Sequence, residues 1–254
     1  MTGRAKIRWL LVCLGLGILL GIGGMAEVGT PVAPVTREVI GTGKYQTQAY
    51  VFTGAGPGPT VLVVGGVHGN EPAGHLAALR LAKRRWRLAR GRLIIVPAAN
   101  APALKLGLRA VPYEGDLNRS FSAGANGQGA GALACALLAA VESWHVAAAV
   151  DLHEGRDYAA HAEESVGRSV IIYPNDASAT LALAVLEALN APPGTGAAFT
   201  PLGPPVQGSL TAALGAEGAA ALIIETSERD PLEQRVKEHC LAVEQALQTL
   251  GLLQ

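Results

Sequence analysis

Cysteine is scarce, with three residues in a chain of 254. Cys13 lies inside an apolar run and follows Val12, without the small preceding residue that a lipoprotein site wants, and Cys135 and Cys240 fall in separate apolar stretches of helical pattern. Thiols this few and this dispersed exclude a cysteine metal cluster. Cys135 and Cys240 read as two buried thiols, with one disulfide as the alternative in an oxidising compartment. An excess of either charge is also missing, with 20 basic residues against 20 acidic ones. Residues 1–26 hold Arg4, Lys6 and Arg8 and no acid, so the remainder carries 17 basic against 20 acidic residues, a formal charge of −3. Such a balance implies no nucleic-acid partner. There is no internal repeat, and hydrophobic periodicity persists through the alanine- and glycine-rich stretches, which argues against disorder.

Half of the residues are hydrophobic, and the length suits one well-buried α/β domain but not two large ones. The N-terminus has a basic start, an apolar stretch from Trp9 to Ala26, and small residues at Gly24-Met25-Ala26. That layout predicts an export signal, or an uncleaved anchor, since about 18 apolar residues lie near the lower limit for spanning a bilayer. Either places the rest of the chain outside the cytoplasm, secreted, periplasmic or membrane-anchored. A buried N-terminal core helix is the remaining alternative. Residues 27–43, with Pro31, Pro34 and several glycines, read as a tether, leaving 44–254 as the main domain.

Within it, apolar runs at Val61–Val64, Leu93–Val96, Ala147–Val150, Val170–Tyr173 and Ala221–Ile224 alternate with helical spacing near 72–89, 129–144, 177–190 and 231–250. Continuous apolarity implies strands covered on both faces. Asp230-Pro231-Leu232-Glu233 supplies the last helix with a cap, a first-turn proline and a returning carboxylate. The pattern predicts a single α/β domain whose central sheet is mostly parallel or mixed and covered by helices on both faces.

In open α/β sheets chemistry collects at strand ends, and three ends carry unusual polar residues. Gly65-Gly-Val-His68-Gly-Asn-Glu71-Pro72 follows the first run and precedes a helix that Pro72 can open. His68 and Glu71 can point at a common centre, and imidazole and carboxylate are both good zinc ligands. Asp151-Leu-His153 follows the third run, and His153 can complete a His₂Glu set that leaves one zinc position open for water. Glu225-Thr226 closes the last run. A carboxylate there is costly unless used or paired, and its natural use is as a general base toward metal-activated water. Between them lies Asp116-Leu-Asn118-Arg119, where Asn118 and Arg119 offer donors for a substrate carboxylate and Asp116 can take the free N–H of a zinc histidine. For Arg119 the alternative is a buried ion pair with Asp116.

These motifs, in this order from about residue 45 to 226, resemble the succinylglutamate desuccinylase/aspartoacylase family, the deacylase branch of the zinc carboxypeptidase-like enzymes. The resemblance implies one zinc ion on His68, Glu71 and His153, Glu225 as base, Asn118 and Arg119 on a substrate carboxylate, and Arg109 near the place of a further arginine. Phe121 is followed by Ser-Ala-Gly where relatives have Pro-Gly, Thr226 is followed by Ser227 where they have proline, and Glu154 and His161-Ala-Glu163-Glu164 also differ. The sequence thus reads as a zinc-dependent hydrolase cleaving the amide of an N-acyl amino acid or related carboxylate-bearing substrate. A metallocarboxypeptidase acting on peptides or cell-wall peptides, and an inactive ligand-binding domain, are the alternatives. Glu154 adjoins His153, but alternation along a strand should turn it away from the metal.

Overall fold

The computed structural model describes residues 30–122, 129–160, 165–191 and 197–253. The expected signal or anchor over 1–26 lies outside the described residues, as do His161, Glu163 and Glu164. Among the described residues no helix is long and apolar enough to cross a membrane.

The five apolar runs all form strands, and three further strands extend their sheet. In chain order these are β1 (Val35–Ile40), β2 (Thr47–Thr53), β3 (Thr60–Gly65), β4 (Arg92–Val96), β5 (Val146–Gly155), β6 (Ser169–Ile172), β7 (Thr200–Leu202) and β8 (Ala220–Ser227). They make one mixed sheet in the order β1-β2-β4-β3-β5-β8-β6-β7, whose four central strands β4, β3, β5 and β8 run parallel. The helices are α1 (Pro72–Ala82), α2 (Ala101–Leu106), α3 (Ala130–Trp144), α4 (Asp176–Asn190), α5 (Leu210–Ala216) and α6 (Leu232–Thr249).

Strand alternation assigns the two cores. Val61, Val63, Val150, Leu152, Leu222 and Ile224 pack under α1, α4 and α6, whereas Leu62, Val64, Ala149 and Ala221 pack under α3 and α5. Full burial of each Val, Leu or Ile is worth about 1.5–3 kcal/mol relative to exposure, so both helical layers hold the strand tips in fixed register.

Several expectations are corrected. Residues 35–40 of the supposed tether form β1, paired antiparallel with β2. Of its side chains only Ile40 is buried, so the run lacks the alternation that marks a strand. Helix α1 stops at Ala82 rather than near 89, because the chain turns to bury Trp86, whose indole N–H donates to the Leu81 carbonyl at 2.9 Å. Asp230 does not cap α6. Its carboxylate accepts from Arg168 at 3.0 Å and from the Tyr158 hydroxyl at 3.2 Å, and Glu233 pairs with Arg80. Cys240 is buried, but Cys135 is exposed. They stand on α6 and α3, which cover opposite faces of the sheet, so the two do not pair with each other.

Candidate metal centre

The loop from β3 into α1 brings His68 and Glu71 to the sheet's C-terminal edge. A Cβ on Gly69 would lie 2.0 Å from the Ala103 carbonyl oxygen, and one on Gly74 would lie 2.2 Å from that of Leu152. Glycine at these positions is what lets the loop rest on α2 and α1 rest on β5. Pro72 opens α1 as expected, and the Glu71 side chain, at the N-cap, makes no capping bond.

It turns instead to both histidines. His68 Nδ1 lies 2.7 Å from Glu71 Oε1, His153 Nδ1 lies 2.9 Å from Glu71 Oε2, and the two Nδ1 atoms are 3.2 Å apart. All three side chains are buried. Tetrahedral zinc with ligand bonds of about 2.0–2.1 Å holds neighbouring ligand atoms about 3.3 Å apart. The donor set fits such an ion in chemistry, and the separation of the two imidazoles matches that spacing, with the carboxylate oxygens drawn closer to the rings than a bound ion would leave them. Behind the two histidines stand two carboxylates. Asp116 Oδ1 is 3.1 Å from His68 Nε2, and Asp151 Oδ2 is 3.1 Å from His153 Nε2, at ion-pair distance but without hydrogen-bond alignment. Burial pushes the Glu71 carboxyl up, yet His153 and His68 outweigh it and hold the group well below the usual carboxylate range. Burial likewise opposes charge on His153, and Asp151 and Glu71 override it, raising the imidazole's pKa.

The fourth group arrives from β8. Its register with β5 sets His153 opposite Glu225 and Glu154 opposite Thr226. The first pair faces the cleft. The second faces α1 and α6, where Glu154 Oε1 accepts from the Ala73 amide at 2.5 Å, Glu154 Oε2 pairs with Arg235, and the Thr226 hydroxyl meets His239 Nε2 at 3.2 Å. Glu225 is buried, and its carboxyl is pushed up to about 8, chiefly by burial, with Glu71 and Asp151 adding and His153 and Arg109 opposing. A divalent cation between the histidines adds an attraction that favours the carboxylate.

His68, Glu71, Arg109, Asp116, Asn118, Arg119, His153 and Glu225 all line one cleft of about 760 Å³. The Asp116 carboxylate pairs with Arg109, at 3.0 Å to Nη2, rather than with Arg119. Arg109 also approaches Glu71 Oε1 at 3.5 Å. Arg119 donates from Nη1 to the Asn118 carbonyl at 2.9 Å, and the Asn118 side-chain oxygen is buried without a hydrogen-bond partner. Sequence reasoning missed Arg156 and Glu228, which also line the cleft. The available signal was their position, three residues beyond His153 and Glu225 at the tips of adjacent strands.

Buried histidines sharing a carboxylate, beside a carboxylic acid at the tips of the parallel central strands, make a site suited to a hydrolytic metal ion. Residues 57–248 match the succinylglutamate desuccinylase/aspartoacylase catalytic domain, and the chain belongs to that family. Over 68 residues it is 48% identical to N-alpha-acetyl-L-2,4-diaminobutyric acid deacetylase of Halomonas elongata, a match covering 26% of this chain and 20% of that protein. Among solved structures, product-bound cell shape determinant protein Csd4 from Helicobacter pylori superposes with a TM-score of 0.70 at 19% identity, covering 87% of this chain and 56% of that one. A succinylglutamate desuccinylase/aspartoacylase from Rhodobacter sphaeroides gives 0.63 at 25% identity, covering 87% and 66%. The chain thus spans between a fifth and two thirds of these relatives' lengths. The likeness to Csd4 is one of fold.

Proposed function

We propose that this protein is a zinc-dependent hydrolase that cleaves the amide of an N-acyl amino acid or related carboxylate-bearing substrate. The observation that carries this reading is the meeting of His68, Glu71 and His153, within 4.8 Å of one another, with Glu225 in register opposite His153. His68, Glu71 and His153 would hold the zinc ion, which would supply Lewis acidity and make water acidic enough to attack near neutral pH. Glu225 takes the proton from the attacking water and returns it to the leaving nitrogen. Arg119 and Asn118 bind the substrate carboxylate and so fix the scissile bond over the site. Asp116 holds the His68 ring by its outer nitrogen, and Arg109 places a cation where negative charge develops on the carbonyl oxygen.

Peptide cleavage is the second reading. A cleft of about 760 Å³ lies well within the range of about 300–1,000 Å³ that encloses drug-sized ligands, which leaves room for a substrate longer than a small N-acyl amino acid. Metal analysis and a substrate panel test both readings. Wild-type protein should carry one zinc and hydrolyse either N-acyl amino acids or peptides, while His68→Ala and His153→Ala should lose most of the metal. Near-stoichiometric zinc in both variants contradicts the ligand set, and a zinc-loaded protein inert toward the whole panel favours a ligand-binding domain.

We further read residues 1–26 as directing the domain across a membrane, on the strength of their basic and apolar layout. A reporter active only outside the cytoplasm, fused after residue 43, should be active. A reporter that is expressed but silent contradicts export.

A further inference from the structure

Once the metal centre has used its groups, the cleft keeps a small set of uncommitted charges. Glu71 is taken by the two histidines, Asp116 by His68 and Arg109, and Glu225 by proton transfer. Arg156 and Glu228 remain. They leave β5 and β8 side by side, where the Glu228 amide donates to the Gly155 carbonyl at 2.8 Å. Both side chains are exposed and line the same cleft as the metal ligands. Their charges attract through space, yet they close no hydrogen bond or ion pair with each other or with any other side chain among the described residues. Two opposite charges held on adjacent strand tips, apart and facing a cleft, complement a ligand that presents both charges in the reverse order. Arg119 and Asn118 come from a different segment, between α2 and α3, and serve the carboxylate near the scissile bond.

We propose that Arg156 and Glu228 form a second subsite that reads an amino-acid head group, its carboxylate on Arg156 and its ammonium on Glu228. Resting on the hydrolase reading above, this assigns the acyl half of the substrate. It is an ω-acyl group bearing a free α-amino acid, joined by the scissile amide to a second amino acid whose carboxylate meets Arg119. Such a substrate is also longer than a simple N-acetyl amino acid, in keeping with the size of the cleft.

The test uses full-length zinc-loaded enzyme and four alanine derivatives that differ only in the acyl group: γ-glutamyl, glutaryl without the ammonium, 4-aminobutyryl without the carboxylate, and acetyl with neither. Wild type should prefer γ-glutamyl over glutaryl and over 4-aminobutyryl in kcat/KM by about fivefold each, as expected for partly exposed ion pairs. Glu228→Gln should erase the preference over glutaryl chiefly by slowing γ-glutamyl turnover, and Glu228→Lys should invert it. Arg156→Gln should erase the preference over 4-aminobutyryl alone. Equal wild-type rates on the three longer compounds, or variants that slow all four alike, overturn the subsite. Should wild type hydrolyse none of the four, the hydrolase reading fails on these substrates. The subsite is then judged by calorimetric binding of the same compounds to zinc-loaded Glu225→Gln protein, where γ-glutamyl-alanine must bind tightest for the inference to stand.

Discussion

Replacing Glu154 should destabilise the fold without removing a metal ligand, and the size of the effect follows from what surrounds it. Its side chain is fully buried on the face of β5 opposite His153, between the Ala73 amide in the first turn of α1 and the Arg235 guanidinium of α6, itself only 12% exposed. Glu154→Met removes the carboxylate partner of that guanidinium, whose Nε still donates to the Asp230 carbonyl at 3.0 Å, and takes the acceptor from the Ala73 amide. Loss of one partner of a buried pair costs about 3–5 kcal/mol, whereas replacing both with apolar groups is often close to neutral. For a domain of this size each kcal/mol moves Tm by about 2–4 °C, so thermal denaturation of the metal-free protein should show a fall of about 6–20 °C. The Glu154→Met, Arg235→Met double variant should recover much of it, held back by the amide that still lacks an acceptor. A single-variant loss below about 1 kcal/mol, the range of solvent-screened surface pairs, or a double variant worse than the sum of its parts, would refute the reasoning.

Acid should weaken the fold through His239, whose pKa is lowered from 6.5 to about 3, first by burial and then by His153. Below pH 6.5 the unfolded chain takes up a proton that the fold refuses, so this stability is complete above 6.5 and is lost on descending toward 3. Between pH 6.5 and about 5 the loss should be about 2 kcal/mol, and denaturant unfolding of His239→Gln should show a correspondingly flatter profile; parallel profiles contradict it. Asp116→Asn removes the anion that faces His68 Nε2 and Arg109, and chelator competition should reveal zinc affinity weakened by about 10–100-fold. Unchanged affinity would mean that the His68 ring is held by packing alone. Gly74→Ala drives a Cβ to 2.2 Å from the Leu152 carbonyl oxygen, so α1 must shift from β5. Soluble yield and zinc content should fall together, and wild-type values for both contradict that close approach.

The central sheet was legible because Val61–Val64, Leu93–Val96 and Ala221–Ile224 are apolar without interruption, as strands buried on both faces must be. Val35–Ile40 was not, because an edge strand with five exposed side chains resembles a linker until its backbone partner is known. Helices α2 and α5 are short, and their capping residues Asn100 and Ser209 compete in sequence with many other polar residues in loops. The meeting of His153 and Glu225 in one cleft was legible because strand parity puts them on one face and Glu154 and Thr226 on the other. The partner of Asp116 could not, because Arg109 and Arg119 are both within reach along the chain and the turn between them decides which one pairs. Asp230 shows the same limit, since its capping signal was outweighed by Arg168, which is 62 residues away.

Turnover by Glu225→Gln, compared with wild type on one N-acyl amino acid at matched zinc content, tests the central claim most directly. The substitution keeps size and hydrogen bonding while removing the proton acceptor, so zinc should stay bound and kcat should fall by about 10²–10⁴-fold. A variant that holds zinc and turns over at the wild-type rate would contradict the account.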